Sequence, residues 1–213
     1  MNTCYIIGAG DVFPVSFNVD SSDYIICADG GYINGTILGR PPDLVVGDFD
    51  SFGHIPETDN KLLFPCEKDE SDMLLCVEQG FIKGYKRFVI LGGLGGDRMD
   101  HSVANLQLLH FIALRGGVGF LLHKSIIFTC IHNTSVSFKE DCKGYISVFS
   151  LSDESKGVTI KKLKYETEDI TLKNHVVMGL SNEFTGKPSS IQVKQGSLLI
   201  SWNGKVSDCS VKS

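Results

Sequence analysis

Over the first 124 residues, short apolar runs alternate with stretches of helical periodicity, and after that point the helical pattern stops. Runs at 4–7, 24–27, 44–46, 61–64, 87–91 and 119–122 read as strands, and a glycine directly follows three of them, at Gly8, Gly47 and Gly92. Between them, Met73, Leu74, Val77 and Phe81 recur at helical spacing in residues 71–81. Residues 101–115 form the clearest helix, with Val103, Leu106, Leu109, Ile112 and Ala113 on one face and Gly116 as its stop. Strands alternating with helices predict an α/β fold, a doubly wound and mostly parallel sheet. From 125 on, short runs at 126–131, 135–138, 145–149, 157–160, 170–172, 191–193 and 198–202 are separated by Gly, Asn, Asp and Lys clusters. That spacing predicts an all-β sandwich or barrel. The expected division is an α/β domain over 1–124 and a β-sandwich over 125–213, with no long linker. The tail from 208 is polar and reads as frayed.

Composition removes several classes. The chain has 213 residues, 42% hydrophobic and 21% charged, as in ordinary globular proteins. A net charge of −5 gives no general attraction for nucleic acid or an anionic membrane, so neither is an expected partner. An anionic substrate then needs local cations or a metal. The seven cysteines are odd in number and contain no Cys-x-x-Cys pair, which argues against a disulfide framework or zinc site and for a reducing, cytoplasmic compartment. The first residues carry no basic region ahead of the apolar run and read as a strand rather than a signal peptide.

The chemistry-bearing residues sit where strands end. In residues 42–51, PDLVVGDFDS, a buried-strand pattern runs into Asp48 and Asp50. If the extended form continues, the two carboxylates share a side and repel unless a cation lies between them. Mg²⁺ suits such oxygen ligands when substrate phosphates share it. The same decapeptide also reads as a polar turn whose Asp and Ser cap loop amides. Asp29-Gly30-Gly31 follows a strand and precedes residues 32–38, a candidate helix, so it reads either as an anion-binding turn or as a tight strand-to-helix connection. In residues 67–72, EKDESD, four carboxylates exceed what a helix dipole needs; Asp69 and Asp72 can share a face around the cap and join Asp48 and Asp50 in an acidic cluster. Lys68 stands beside them as a phosphate contact. Residues 92–105, GGLGGDRMDHSVAN, form a glycine-rich loop, then Arg98 with a planar fork suited to phosphate, then Asp100 at or near a helix cap. His101 reads as a capping or core-edge histidine. The loop is no Walker A sequence, since no Gly-Lys-Ser/Thr follows, and it is a poor dinucleotide fingerprint.

Taken in order, ADGG at 28–31, PDLVVGDFDS at 42–51, EKDESD at 67–72 and GLGGDRMDHSVAN at 93–105 resemble the thiamine pyrophosphokinase family. The second half extends the resemblance through Gly157–Ile160, Leu163-Lys164-Tyr165, Ile170-Thr171-Leu172 and residues 179–184, GLSNEF. The resemblance implies transfer of a pyrophosphoryl group from ATP to the hydroxyl of thiamine, with release of AMP. It implies a nucleotide-binding catalytic first domain and a thiamine-binding, dimerising second domain. It further implies a homodimer with thiamine between the subunits. By the same resemblance Asp48, Asp50 and Asp72 hold Mg²⁺, and Asp29, Gly30, Gly31, Asp69, Ser71 and Arg98 line the nucleotide. Asp100 lies near the reacting hydroxyl, and Ser181 and Asn182 touch thiamine in the partner's site. Asp48, Asp50, Asp72, Arg98 and Asp100 are thus the expected catalytic set. This chain departs from the family pattern in having Asp97 where glycine precedes the arginine, and Ser71 where threonine is more usual. In some members an aromatic near the last long strand stacks on thiamine; Ile200 aligns with it here, and Trp202 lies two residues on. Two other classes compete. A metal-dependent phosphoesterase would need more histidine ligands than the single Asp100-His101 pair of the first half. A non-catalytic thiamine or nucleotide sensor would not need the full set of carboxylates.

Overall fold

The structure is a computed structural model and describes residues 2–13, 17–48, 58, 60–65 and 69–212. The chain divides into two compact units, one made of residues 1–108 and 121–124, the other of 109–120 and 125–213.

The first unit is built on β1 (Cys4–Ile7), β2 (Tyr24–Ala28), β3 (Leu44–Gly47), β4 (Lys61–Leu63), α1 (Asp72–Ile82), β5 (Arg87–Leu91), α2 (Met99–Leu114) and β6 (Val118–His123), the last two crossing the unit boundary. The strand order is β6-β5-β1-β2-β3-β4. β1 pairs in parallel with both β2 and β5, Ile6 facing Ile26 on one side and Ile90 on the other. β2 with β3 and β3 with β4 are parallel as well. Cys4, Ile6, Ile7, Ile25, Ile26, Cys27, Val46 and Ile90 are completely buried. Burial on both faces is why these strands read as unbroken apolar runs instead of alternating. The chain leaves β1 toward β2 and later returns to β1's other side as β5, so the order reverses between β1 and β5. Open α/β sheets bind ligands in the crevice at such a reversal.

Two helical expectations shift. Of the expected face of α2, Leu109, Ile112 and Ala113 are buried, but Val103 is 55% exposed, and the helix also buries Ser102, Asn105 and Leu108. At the start of the helix the buried positions are polar, because Ser102 and Asn105 hydrogen-bond the glycine-rich loop. Residues 32–38 do not form an α-helix. A 3-10 helix spans Asp29–Asn34, so the glycines belong to the helical turn and do not precede it. In α1, Ser71 is the N-cap, accepting from the Leu74 amide at 3.3 Å, and the buried residues are Leu75, Cys76, Val77 and Gly80.

The second unit contains β7 (Ile126–His132), β8 (Ser135–Phe138), β9 (Tyr145–Ser150), β10 (Glu154–Lys161), β11 (Thr167–Lys173), β12 (Gly179–Glu183), β13 (Ser189–Gln192), β14 (Ser197–Asn203) and β15 (Cys209–Val211). They lie in two orders, β12-β9-β14-β7 and β11-β10-β13-β8-β15, with antiparallel pairing throughout. The inner faces meet through aromatics: the Phe138 ring lies 5.3 Å from both Trp202 and Phe184. Val136, Ile146, Val158, Ile191, Leu198 and Ile200 fill the space between. The tail through Lys212 is not frayed. β15 pairs with β8, Cys209 opposite Phe138 and Val211 opposite Val136, and the Thr134 hydroxyl donates to the Lys212 carbonyl at 2.8 Å. Backbone pairing along an existing edge orders a segment too polar to bury itself. No helix among the described residues is long and apolar enough to cross a membrane.

Candidate active site

The crevice between β1 and β5 is made of glycine backbone. The amides of Gly8 and Gly10 donate to the carbonyls of Leu91 and Gly92, both at 2.8 Å. A Cβ on Gly8 would lie 2.6 Å from the Gly92 carbonyl oxygen, and one on Gly92 would lie 2.4 Å from that of Gly8. Gly92 also has φ of +62°, so glycine is required there twice over. α2 holds the rest of the loop: Asn105 Nδ2 donates to the Gly93 carbonyl at 2.7 Å, and the Gly95 amide donates to Ser102 Oγ at 3.2 Å. Ser102 and Asn105 lie inside the glycine-rich motif, but sequence reasoning passed them over. The available signal was a pair of polar residues three apart on a helix that is otherwise apolar on that side.

On the other side of β1 the acidic residues gather at strand ends. Asp29 follows β2 with φ of +38°, an unusual conformation for a residue with a side chain. Its Oδ1 is buried with no hydrogen-bond partner among the described residues. A Cβ on Gly47 would stand 3.0 Å from Asp29 Cα and Cβ, so the end of β3 lies against Asp29 and Asp48 follows immediately. Gly31 packs against the exit of β1, where an added Cβ would come within 2.0 Å of the Ile7 carbonyl oxygen; at Gly30 it would come within 3.0 Å of Ala9 Cβ. Ser71 and Asp72 sit at the start of α1, and Asp69 is exposed just before it. Asp50, Glu67 and Lys68 lie outside the described residues. No group of three His, Cys, Asp or Glu side chains close enough to hold a metal occurs among the described residues. The donors present on this side are carboxylates, with the orphaned Asp29 oxygen among them, and that chemistry fits a hard cation such as Mg²⁺.

Arg98 and Asp100 are brought together in a two-pronged ion pair, Nε to Oδ1 at 3.0 Å and Nη2 to Oδ2 at 2.7 Å, both largely exposed. The Arg98 hydrogen bonds hold the Asp100 carboxyl down to about 2, and the pairing raises Arg98 in turn. Asp100 is the second residue of α2, and its side chain faces the guanidinium; Asp97 is exposed one residue before Arg98.

Ser181 and Asn182 lie on β12 at a register shift in its pairing with β9. Ser181 has φ of +59° and is exposed, its amide donating to Ser147 Oγ at 3.0 Å. Left-handed backbone at a non-glycine residue is strain of the kind that collects at binding sites. Asn182 is 7% exposed, and its amide clamps the backbone of Tyr165: Oδ1 accepts from the Tyr165 amide at 2.9 Å, and Nδ2 donates to its carbonyl at 2.7 Å. Tyr165 itself is 58% exposed beside this strand. Ile200 and Trp202 are both buried in the sandwich core, so neither offers a ring or face at the surface.

Two family matches divide the chain along these lines. Residues 17–116 match the thiamin pyrophosphokinase catalytic domain, and residues 132–198 match the thiamin pyrophosphokinase vitamin B1 binding domain. The chain belongs to the thiamin pyrophosphokinase family. With both domains present, the activity is that of the family, thiamin diphosphokinase. Solved structures share the fold. The thiamine pyrophosphokinase of Bacillus subtilis superposes with a TM-score of 0.83 at 22% identity, covering 96% of this chain and 100% of that one. The thiamin pyrophosphokinase of Candida albicans gives 0.68 at 15% identity, covering 95% and 90%, and that of yeast gives 0.70 at 14% identity, covering 97% and 87%. A search of curated protein sequences returns no match. In this chain Gly92, Gly93, the strand-end carboxylates and Arg98 lie within the residues matched to the catalytic domain, and Ser181 and Asn182 within those matched to the vitamin B1 binding domain.

Proposed function

We propose that this chain transfers the terminal pyrophosphoryl group of ATP to the hydroxyl of thiamine, giving thiamine diphosphate and AMP, in a Mg²⁺-dependent reaction. The alcohol oxygen attacks the β-phosphorus, the bond from that phosphorus to the α-bridging oxygen breaks, and AMP leaves. The observation that carries the reading is the glycine crevice at the sheet reversal, with the exposed guanidinium of Arg98 on the loop that follows β5 and carboxylates at the neighbouring strand ends.

Each residue has a part in this reading. The loop after β5 and the turn at Asp29, Gly30 and Gly31 let backbone approach the nucleotide closely. Asp69 and Ser71 line the nucleotide at the start of α1. Arg98 exchanges its pairing with Asp100 for a phosphate, which offers the same two-oxygen edge to its fork. Asp100, so released, accepts a hydrogen bond from the thiamine hydroxyl and aims it. Phosphoryl-type transfer is mostly positioning and charge neutralisation, so little base strength is needed. Mg²⁺, which Asp48, Asp50 and Asp72 would hold, supplies charge neutralisation on the phosphates. Ser181 and Asn182 of a second copy line the thiamine, Ser181 by its exposed position and Asn182 by fixing Tyr165. Residues 1–124 are then the nucleotide-binding catalytic part of a homodimer and 125–213 its thiamine-binding and dimerising part. A reducing cytoplasm suits the six described cysteines, all of them free thiols.

The deciding assay incubates purified protein with ATP, Mg²⁺ and thiamine. AMP and thiamine diphosphate should appear in equal amounts, stop with EDTA and resume with added Mg²⁺. Release of ADP or free phosphate instead would favour a different transferase or a phosphoesterase, and binding without product would favour a sensor. Asp50→Asn should remove most of the activity while leaving the thermal melt nearly unchanged. Ser181→Ala should raise KM for thiamine more than KM for ATP.

A further inference from the structure

Gly95 lies between two side chains that belong to none of the motifs. A Cβ at this glycine would stand 2.5 Å from Asp11 Oδ2 and 3.1 Å from His123 Cε1. Asp11 follows the glycines at the exit of β1, and His123 ends β6, so strands on either side of β5 deliver the two groups to one point of the loop. The His123 ring is set edge-on against Phe13, with centroids 5.0 Å apart and planes at 79°. Lys124 Nζ lies 5.5 Å from the same Phe13 ring. His123 Nδ1 is buried and has no hydrogen-bond partner among the described residues. A buried ring nitrogen without a partner is uncommon. Asp11 is exposed, its carboxylate beside the loop.

The chemistry of the cluster narrows what it can take. A carboxylate at this point repels phosphate, so the cluster is not a second phosphate site. Two candidate ligands are too few for a metal, and no group of three occurs among the described residues. A carboxylate accepts hydrogen bonds from hydroxyls, and the imidazole nitrogen adds one further bond. That combination suits a vicinal diol. In the strand order β6 and β5 lie on one side of β1, and β2 and β3, with Asp29 and Asp48, on the other.

We propose that Asp11 and His123 hold the ribose hydroxyls of the nucleotide and select the nucleoside, while the polyphosphate runs from them over the glycine crevice toward the carboxylates. This rests on the chain being a nucleotide-dependent transferase. The test uses the full chain, wild type, Asp11→Asn and His123→Gln, with calorimetric titration of Mg-ATP and of its 2′-deoxy and 3′-deoxy analogues. Wild type should bind ATP about tenfold or more tightly than at least one deoxy analogue, as expected for a hydroxyl bonded to a charged acceptor. Asp11→Asn should lose about tenfold in ATP affinity and lose that discrimination, with KM for thiamine within about twofold of wild type. His123→Gln, which keeps a hydrogen-bonding group, should fall between the two, and thermal melts establish that each variant is folded. Equal binding of ATP and both analogues by wild type, or unchanged ATP affinity and discrimination in folded Asp11→Asn, would overturn the proposal. Ribose discrimination without formation of thiamine diphosphate would leave the subsite standing and refute the transfer reaction. Absence of any nucleotide binding would refute both.

Discussion

Asn105→Ala removes a buried amide that ties α2 to the glycine-rich loop. Asn105 is 6% exposed, and Nδ2 donates to the Gly93 carbonyl at 2.7 Å. The net contribution of such a bond is about 1 kcal/mol, and stranding its buried acceptor adds about 1–3 kcal/mol. Gly93 is itself buried, so water does not readily replace the lost donor. A total of about 2–3 kcal/mol is expected, which lowers the urea midpoint by about 1 M for a slope of about 2–3 kcal/mol per M. The loop carries the crevice, so KM for ATP should rise with little change in KM for thiamine. Asn105→Asp keeps the shape and replaces the donor with an acceptor facing a carbonyl. At neutral pH it should cost more than the alanine. The new carboxyl is neutral only when protonated, so its folded pKa is raised. The variant is then closest to wild type below its unfolded value of about 4, and it loses stability as pH rises above that. Urea unfolding followed by circular dichroism at pH 4 and pH 7, with steady-state kinetics, reads all of this. An alanine variant whose midpoint moves by less than about 0.3 M and whose KM for ATP is unchanged would refute the claim that this bond holds the loop.

Gly31→Ala should be costly, because its Cβ would meet backbone at the end of β1, where no rotamer gives relief. A loss of about 3 kcal/mol lowers the melting midpoint by roughly 6–12 °C, whereas Gly39→Ala, at φ of +82° but with open space around it, should lose only about 1 kcal/mol. Equal melts for the two variants would contradict the packing. Burial pushes the thiols of Cys27 and Cys130 up to about 12 and raises Cys4 as well, so in the native protein they should resist iodoacetamide at pH 8 while half-exposed Cys209 reacts. Because these folded values are raised, the stability they lend is full below the ordinary thiol value near 9 and is lost as pH climbs from there toward 12, by about 1 kcal/mol per thiol at pH 10. Cys27→Ala should flatten that alkaline decline, and an unchanged slope would count against it. The Asp100 carboxyl, held near 2 by Arg98, should show no carboxyl NMR titration above about pH 3 in wild type and return toward the ordinary carboxylate range in Arg98→Ala. Its folded value is lowered, so whatever small stability the exposed pair adds is present above pH 4 and fades as pH falls toward 2.

Local pattern made much of the architecture legible. Apolar runs such as 4–7 and 88–91 marked strands, and the loss of helical periodicity past residue 124 marked the antiparallel part. The motif residues stand where strand ends were expected to put them, Asp29 after β2, Asp48 after β3 and Asp72 opening α1. The misreadings share a cause. Val103 reads as core because it is apolar at helical spacing, yet the buried positions at that end of α2 are Ser102, which accepts from the Gly95 amide, and Asn105, which donates to the Gly93 carbonyl twelve residues away in the chain. The tail looked disordered because β15 has too little apolar surface to order itself and depends on the edge of β8. Nothing local to Asp11 or His123 distinguishes them; they matter because β1 and β6 carry them to the same glycine.

The sequence alone determined which segments extend, which coil, and that glycines and carboxylates occupy the strand ends, since backbone preference and side-chain period are properties of neighbours along the chain. Tertiary structure decided the reversal of strand order that opens the crevice, the pairing of Arg98 with Asp100, and the burial of Trp202 and Ile200 away from any surface. Those features depend on strand pairing and packing between residues remote in sequence, which no local pattern encodes.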